Sequence, residues 1–316
     1  MIAPVPFRLF MNPRHGVPGV VVLPESGFRR ASAEIRGWPG RLPRPPVALP
    51  ELAQAAGLAS LHLGQVASPG YAYALSRLLR AELARRNMPA GAPGAVTFAC
   101  AQGRGDDLAA IASAARRLGV RCMAFVEDGA VPGNDAQVLR GGYEEAMRHA
   151  GQQGWLFVSA WAAAGYTEVP RDIMQGDRVA VSEALAALPV APTHVVVPGG
   201  QGGLAAATAT QLRALGGATP RLVVAEPAGA SPLMGEAEGR PAQAPPGLLA
   251  WQELERSAFA FLEAPDALGG VLAAAAEASS RVALGLDATS RLLVLGQDAD
   301  PAEGSAGQGS QQGGLA

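Results

Sequence analysis

The chain has 316 residues, 49% of them hydrophobic, and a formal net charge of -2 with a pI near 6.1. That length and apolar share allow one large or two smaller cores, and the near-neutral balance offers no field for nucleic acid or an acidic membrane surface. No apolar run is long enough to span a bilayer, and MIAPVPFRLFMNPRHG at the start is broken by prolines and lacks a signal-peptide apolar core, so a cytoplasmic protein is expected.

In chain order, residues 36–50, RGWPGRLPRPPVALP, are proline-rich and read as an extended lead-in. ELAQAAGL predicts a short helix closed by Gly57, and SLHL a strand. Residues 73–86, YALSRLLRAELARR, carry apolar positions at helical spacing above an arginine face. GAVTFAC predicts a strand, DDLAAIASAARRLG a helix closed by Gly119, and VRCMAFVED a strand. YEEAMRHAGQQG predicts a helix, WLFVSAWA a strand and RDIMQGDRVAVSEALAAL a long helix. A β-branched strand at 193–197 follows with its helix, then PRLVVAEP as a strand and a Gly/Pro/Ala-rich loop from about Gly229 to Gly247. A helix at 265–284 and the strand RLLVLG end the pattern, and 302–316 has the composition of a disordered tail. Continuous apolar strands alternating with helices predict a buried parallel sheet and an α/β fold.

THVVVPGGQGGLAAATATQLRAL, Thr193 to Leu215, is a strand, a glycine turn and a helix start. Glycines at 199, 200, 202 and 203, with Gln201 among them, let N–H groups converge where the helix adds partial positive charge. The pattern fits a cradle for a phosphate or carboxylate, and it fits an ordinary strand-to-helix turn equally well. AVTFACAQGRGDDLAA (95–110) is a second such unit. Gly103 and Gly105 are followed by Glu127 and Asp128 in the layout of a dinucleotide site, but Leu108 stands where the third glycine belongs. RGD at 104–106 is a chance tripeptide.

His15, His62, His149 and His194 are scattered, and Cys100 and Cys122 lack metal-site spacing, so two reduced thiols and no metal are expected. No G-x-S-x-G, H-E-x-x-H or C-x-x-C occurs. Asp106-Asp107 and Glu144-Glu145 open predicted helices, where acids complement the dipole. All 25 basic residues are arginine; without lysine the chain has no side-chain amine for a Schiff base.

The stretch GWLFVSAWAAAGYTEVPRDIMQGDRVAVSEALAALPVAPTHVVVPGGQGGLAAA (154–207) resembles the diaminopropionate ammonia-lyases, pyridoxal-phosphate enzymes of fold type II, the tryptophan synthase β-like group. Gly165, Tyr166, Glu168, Pro170 and Ile173 to Gly176, then PTH and the glycine loop, carry the likeness. PPVALPELA (45–53), GRG (103–105), GYEEAMR (142–148), VVAEP (223–227) and LGLDATSRLLVLGQDADP (284–301) extend it. The resemblance implies a two-domain, three-layer αβα parallel-sheet architecture over 45–301, with a smaller subdomain at about 68–160 and an N-terminal extension at 1–44. It implies pyridoxal phosphate gripped by Gly199, Gly200, Gln201, Gly202 and Gly203, and a family reaction releasing pyruvate and ammonia from 2,3-diaminopropionate.

The same resemblance places the aldimine lysine at Leu75 or Ser76, one acid–base aspartate at Ala99 and the second at Ala160. Ala101 and Gln102 stand at the Asn and His positions of the ring-supporting loop, and EASSR (277–281) at a Ser/Gly-rich segment near the ring. Losing covalent attachment and acid–base groups together removes several orders of magnitude of catalysis, roughly 10²–10⁴-fold for acid–base work alone. The expectation is therefore a chain without catalytic residues, inactive in the family reaction, binding a small anion or serving as a regulatory scaffold. It would assemble as a homodimer or with an active paralogue. Two further readings stay open. One is an amino-acid lyase with non-covalently bound pyridoxal phosphate, using Tyr71, Tyr73 or Ser76 for proton transfer; the other is a nucleotide-binding module using Gly103, Gly105 and Glu127.

Overall fold

The computed structural model of the chain describes residues 5–66, 68–103, 108–127, 135–216, 219–240 and 245–297. The tail expected at 302–316, the tripeptide at 104–106, Asp107 and Asp128 lie outside these residues. The chain begins with β1 (Arg8–Met11), α1 (Glu25–Arg36), β2 (Val47–Ala48), α2 (Pro50–Ala55) and β3 (Ser60–Val66). It continues through α3 (Gly70–Arg85), β4 (Thr97–Ala101), α4 (Leu108–Arg117), β5 (Arg121–Val126), β6 (Gln137–Arg140), α5 (Tyr143–Gln153) and β7 (Leu156–Phe157). It returns by α6 (Glu168–Ala186), β8 (His194–Pro198), α7 (Gly203–Ala214), β9 (Arg221–Glu226), α8 (Pro232–Ala237), α9 (Leu248–Ser257) and β10 (Ala260–Glu263). The helices α10 (Ala267–Ala276) and α11 (Ala278–Leu284) and the strand β11 (Arg291–Gln297) complete it.

A seven-stranded sheet has the order β1-β10-β9-β8-β11-β3-β2 and a four-stranded one the order β6-β5-β4-β7. The smaller sheet is parallel throughout, and in the larger one only the edge pairs β1–β10 and β2–β3 are antiparallel. Their apolar runs are continuous because both faces are covered. In β8, Val195 and Val197 enter the core under α6, α7 and α9, whereas Val196 faces the core under α10 and α11. Leu222 and Val224 of β9 split from Val223 and Ala225 in the same way. In β4, Phe98 and Cys100 pack under α3 and α4, and Ala99 and Ala101 under α5. Each sheet is the middle layer of three, so the α/β, two-unit αβα architecture holds.

The units meet where α3 crosses α6. A Cβ on Gly176 would stand 2.6 Å from the Gly70 Cα, so the backbones touch there. The Asp177 carboxylate then accepts the Ser68 hydroxyl at 2.6 Å and the Gly70 N–H at 3.2 Å, serving the start of α3. Burial pushes the Asp177 carboxyl up to about 6, against the opposing pull of these two donors.

Several elements differ from the sequence reading. Residues 1–44 contribute β1, an edge of the large sheet, and α1, which lies on α6 through the buried Arg178 guanidinium, 3.0 Å from Glu25 and 4.5 Å over the Phe28 ring. The strand predicted over WLFVSAWA shrinks to Leu156–Phe157, because Ser159 N–H goes to the Tyr166 hydroxyl and Trp161 N–H to the Ser159 hydroxyl. The helix predicted at 265–284 is broken by 107° at Glu277, whose carboxylate caps α11 through Ser279 and Ser280 N–H. Inside the loop expected at 229–247 stands α8. Among the described residues no single helix is long and apolar enough to cross a membrane.

Candidate functional site

Gly199–Gly203 leads from the carboxyl end of β8 into α7 and is held from both sides. Gly199 N–H donates to Ala225 O at 2.7 Å, and Gly202 N–H to Gly199 O at 2.7 Å. Gly200 at φ +49° and Gly202 at φ +90° occupy left-handed backbone that glycine alone enters freely. The loop also packs closely: a Cβ on Gly199 would stand 2.6 Å from Glu226 Cγ, and one on Gly202 2.8 Å from Ala250 Cβ. Beyond it, α7 starts with no side-chain cap and no acidic residue in its first turn. Its first N–H groups and the positive end of its dipole are left for an occupant of the loop. The Gln201 Oε1 is enclosed and has no hydrogen-bond partner among the described residues. Whichever way that amide is turned, one polar end awaits a ligand atom.

A strap crosses beside this loop. Gly247 N–H points at Gln201 O from 3.4 Å, Leu248 N–H donates to Ala162 O at 2.8 Å, and Trp161 Nε1 donates to Pro245 O at 3.1 Å. Trp161 thus stands at the loop's surroundings, as part of the cluster with Tyr143 and Phe157. Leu75 does not: it is fully buried in the small-sheet core with Leu79, Phe98, Ile111 and Ile173.

The other positions assigned by resemblance are equally apolar or engaged elsewhere. Ser76 donates to Glu34 at 3.0 Å. Ala99 and Ala101 are fully buried in the core under α5, Gln102 is exposed, and Ala160 packs at the margin of the core under α3. Glu277 to Arg281 form the start of α11, with Arg281 donating to Ala56 O and Ala275 O. Tyr71 belongs to the small-sheet core, and Tyr73 packs against Ala31, Ile35 and Val179. Of the dinucleotide pattern, Gly105 lies outside the described residues; Gly103 has φ +99°, and Glu127 rests against Gly142.

Two polar features here escaped sequence reasoning. Glu226 ends β9 directly behind the loop, 2% exposed, accepting Leu233 N–H at 3.0 Å and Met234 N–H at 2.8 Å. Burial pushes its carboxyl up to about 7, outweighing those two donors. An acid closing an otherwise apolar strand was the only available signal. Arg178 is 1% exposed and binds Gln175, Glu25 and Gln211, with burial pulling its guanidinium below the usual arginine range. Gln201 was named from the sequence, but the enclosure of its Oε1 was not foreseen.

His194 is structural: Nδ1 meets the Thr193 hydroxyl at 2.8 Å and Nε2 meets Leu284 O at 3.0 Å, and burial lowers its pKa. His15 packs edge-on against Phe259 and His149 lies 3.5 Å from Glu145. No group of three or more potential metal ligands occurs among the described residues. Cys100 and Cys122 bring their sulfurs to 3.8 Å, but the register pairs Cys122 with Phe98 and Cys100 with Ala124. That offset sets their Cα atoms about 8 Å apart, beyond disulfide reach without backbone movement.

The residues present therefore fit a phosphate-sized anion, and the chain has no lysine amine with which to attach an aldehyde-bearing ring. The loop supplies N–H groups, a helix dipole and the Gln201 Oε1, which has no partner among the described residues. Of the two positions that the resemblance offers for a lysine, Leu75 is enclosed and Ser76 donates to Glu34, and the chain contains no lysine.

Residues 70–294 match the family model described as pyridoxal-phosphate dependent enzyme. In sequence the chain is 32% identical over 111 residues to the diaminopropionate ammonia-lyase of Escherichia coli strain K12; it spans 28% of the length of the curated relatives it matches. In structure it resembles diaminopropionate ammonia lyase from Escherichia coli in complex with D-serine, with a TM-score of 0.81 at 22% identity over 95% of both chains. Processed threonine deaminase isoform 2 from Solanum lycopersicum superposes with a TM-score of 0.64 at 13% identity, over 94% of this chain and 90% of that one. These structural likenesses establish the shared fold.

Proposed function

This chain belongs to the pyridoxal-phosphate-dependent enzyme family, and on that premise we propose that it is a non-catalytic member. It holds a small phosphate-bearing anion, pyridoxal phosphate included, on Gly199–Gly203 without covalent attachment. The observation that carries the reading is the absence of lysine from the chain, with Leu75 fully buried among apolar side chains and Ser76, the alternative position, donating to Glu34. Ala99 and Ala160 support it, since neither position offers a proton-transfer group. The uncapped α7 and the orphaned Gln201 oxygen support retained anion binding. The reaction of the diaminopropionate ammonia-lyases is accordingly absent, and the chain acts as a scaffold or sensor.

The test adds pyridoxal phosphate to purified protein with and without 2,3-diaminopropionate and follows bound cofactor and pyruvate. Saturable binding that inorganic phosphate displaces, with no pyruvate above a protein-free control, is expected. Pyruvate production overturns the non-catalytic reading, and failure of both pyridoxal phosphate and inorganic phosphate to bind overturns the cradle.

A further inference from the structure

Directly behind the glycine loop lies a buried acid for which anion binding alone gives no role. A Cβ on Gly199 would stand 2.6 Å from Glu226 Cγ and 3.2 Å from Cδ, so the loop backbone and the carboxyl group are in contact. The Leu233 side chain closes the same space, 3.2 Å from that Cβ and 3.3 Å from one on Gly202. The carboxyl group is clasped by the start of α8, with Leu233 N–H on one oxygen and Met234 N–H on the other. Glu226 is 2% exposed, so a charge there is poorly screened by solvent. Its in-register neighbour on the parallel strand β10 is Glu263, which places two acids side by side on one face of the sheet.

The charges around Glu226 leave it uncompensated. Glu263 is offset by Arg8 at 3.0 Å and by the Ser231 hydroxyl at 2.7 Å. The helix α8 carries Glu236, and just beyond it Glu238 pairs with Arg8 and Arg240. From α9, Ala250 and Leu254 meet the loop, and Glu253 of that helix belongs to Arg213. Residues 199–203, the first turn of α7 and the whole of α10 hold no ionisable side chain. His194 lies at the opposite end of β8, on the Leu284 carbonyl. Among the described residues no cation pairs with Glu226, and burial sets its carboxyl at about 7, so both charge states are populated near neutrality. An anion on the loop adds negative charge just across the Gly199 backbone, which favours the neutral acid further. We propose that the glycine loop takes up its anion together with a proton on Glu226, so that anion affinity falls as pH rises. The inference rests on the anion-binding reading of Gly199–Gly203 and adds the regulation of that site.

The sign follows from linkage: the bound state holds the proton more tightly, so binding takes up a proton between the two midpoints and is tightest below the lower one. A roughly tenfold tighter hold makes binding about fivefold weaker at pH ~8 than at pH ~6. Sulfate is the probe, because its charge is constant over this range, with ionic strength held fixed by chloride. Protein labelled with carbon-13 at the glutamate carboxyl carbons is titrated with and without sulfate, and calorimetry follows sulfate affinity at each pH. A glutamate resonance with its midpoint at about 7 is expected, moved upward by sulfate, together with the fivefold fall in affinity. Glu226→Gln removes that resonance and levels the affinity; the titration of the unsubstituted protein decides the matter even if this variant does not fold. Gly203→Asp puts a carboxylate at the loop where the nearest atom to a Cβ is Met174 Cγ at 3.8 Å, and it abolishes the effect of sulfate on the midpoint. Sulfate binding that pyridoxal phosphate displaces, with an unmoved midpoint or a level affinity in the unsubstituted protein, overturns this proposal and leaves the cradle standing. Failure of sulfate, inorganic phosphate and pyridoxal phosphate to bind at any pH removes the cradle and the proposal together.

Discussion

Gly202→Ala and Gly203→Ala, one residue apart, separate what the glycine loop needs from what it tolerates. At Gly202 the backbone has φ +90°, a conformation that costs an L-residue roughly 1–2 kcal/mol. The added Cβ also stands 2.8 Å from Ala250 Cβ, 3.1 Å from Leu254 Cδ1 and 3.3 Å from Leu233 Cδ2. The leucines can rotate, but Ala250 has no rotamer to escape into, so α9 has to shift, which adds an overpacking cost of about 1–3 kcal/mol. Together these predict a loss of about 2–5 kcal/mol, a large part of the stability of an ordinary domain. At Gly203 the φ is ordinary for a helix and the nearest atom is Met174 Cγ at 3.8 Å. There alanine recovers about 0.5–1 kcal/mol of backbone entropy. Urea unfolding of both variants, with equal m-values as the check on comparability, reads the difference. If Gly202→Ala unfolds at the wild-type midpoint, or if Gly203→Ala falls as far as its neighbour, the geometry assigned to the loop is wrong.

Leu75→Lys does not restore an enzyme: deleting the packed leucine and burying an ammonium costs on the order of 3–5 kcal/mol or more, and no imine absorbance develops with pyridoxal phosphate. A stable Leu75→Lys protein that forms the imine would show that the position faces the cofactor after all. Glu226 makes stability fall as pH rises. Its folded-state pKa of about 7 exceeds the unfolded 4.5, so the native state keeps a proton that the unfolded chain has lost between those values. Its contribution, about 3 kcal/mol by linkage, is present below pH 4.5 and gone above pH 7. Glu226→Gln flattens that stretch of the stability profile in urea titrations at successive pH values, and an unchanged slope refutes the assignment. Cys100 and Cys122 stay thiols under mild oxidant; an intact-mass loss of two hydrogens in the folded protein contradicts the register-based separation.

The alternation of apolar strands and helices was sufficient to predict the layered parallel architecture, because strands buried on both faces must be apolar at every position, as 195–197 and 222–225 are. The missing lysine needed no coordinates either, since composition is a property of the chain alone. The glycine loop could be located in sequence but not interpreted. Only the fold shows that Gly202 lies against Ala250, that Gly199 backs onto Glu226, and that the Gln201 Oε1 has no partner among the described residues. These neighbours are separated by 27 to 48 positions along the chain, so no local pattern announces them. The short edge strand β1 was illegible for a related reason: its four residues pair with β10 some 250 positions later. The break at Glu277 was hidden because an alanine-rich helix and two helices meeting at a carboxylate cap share one apolar periodicity. Composition and periodicity report whether a position is apolar and how often that recurs. Which residues meet across the chain, and therefore which buried acid, amide or guanidinium finds a partner, is decided only when the sheets close on their helices.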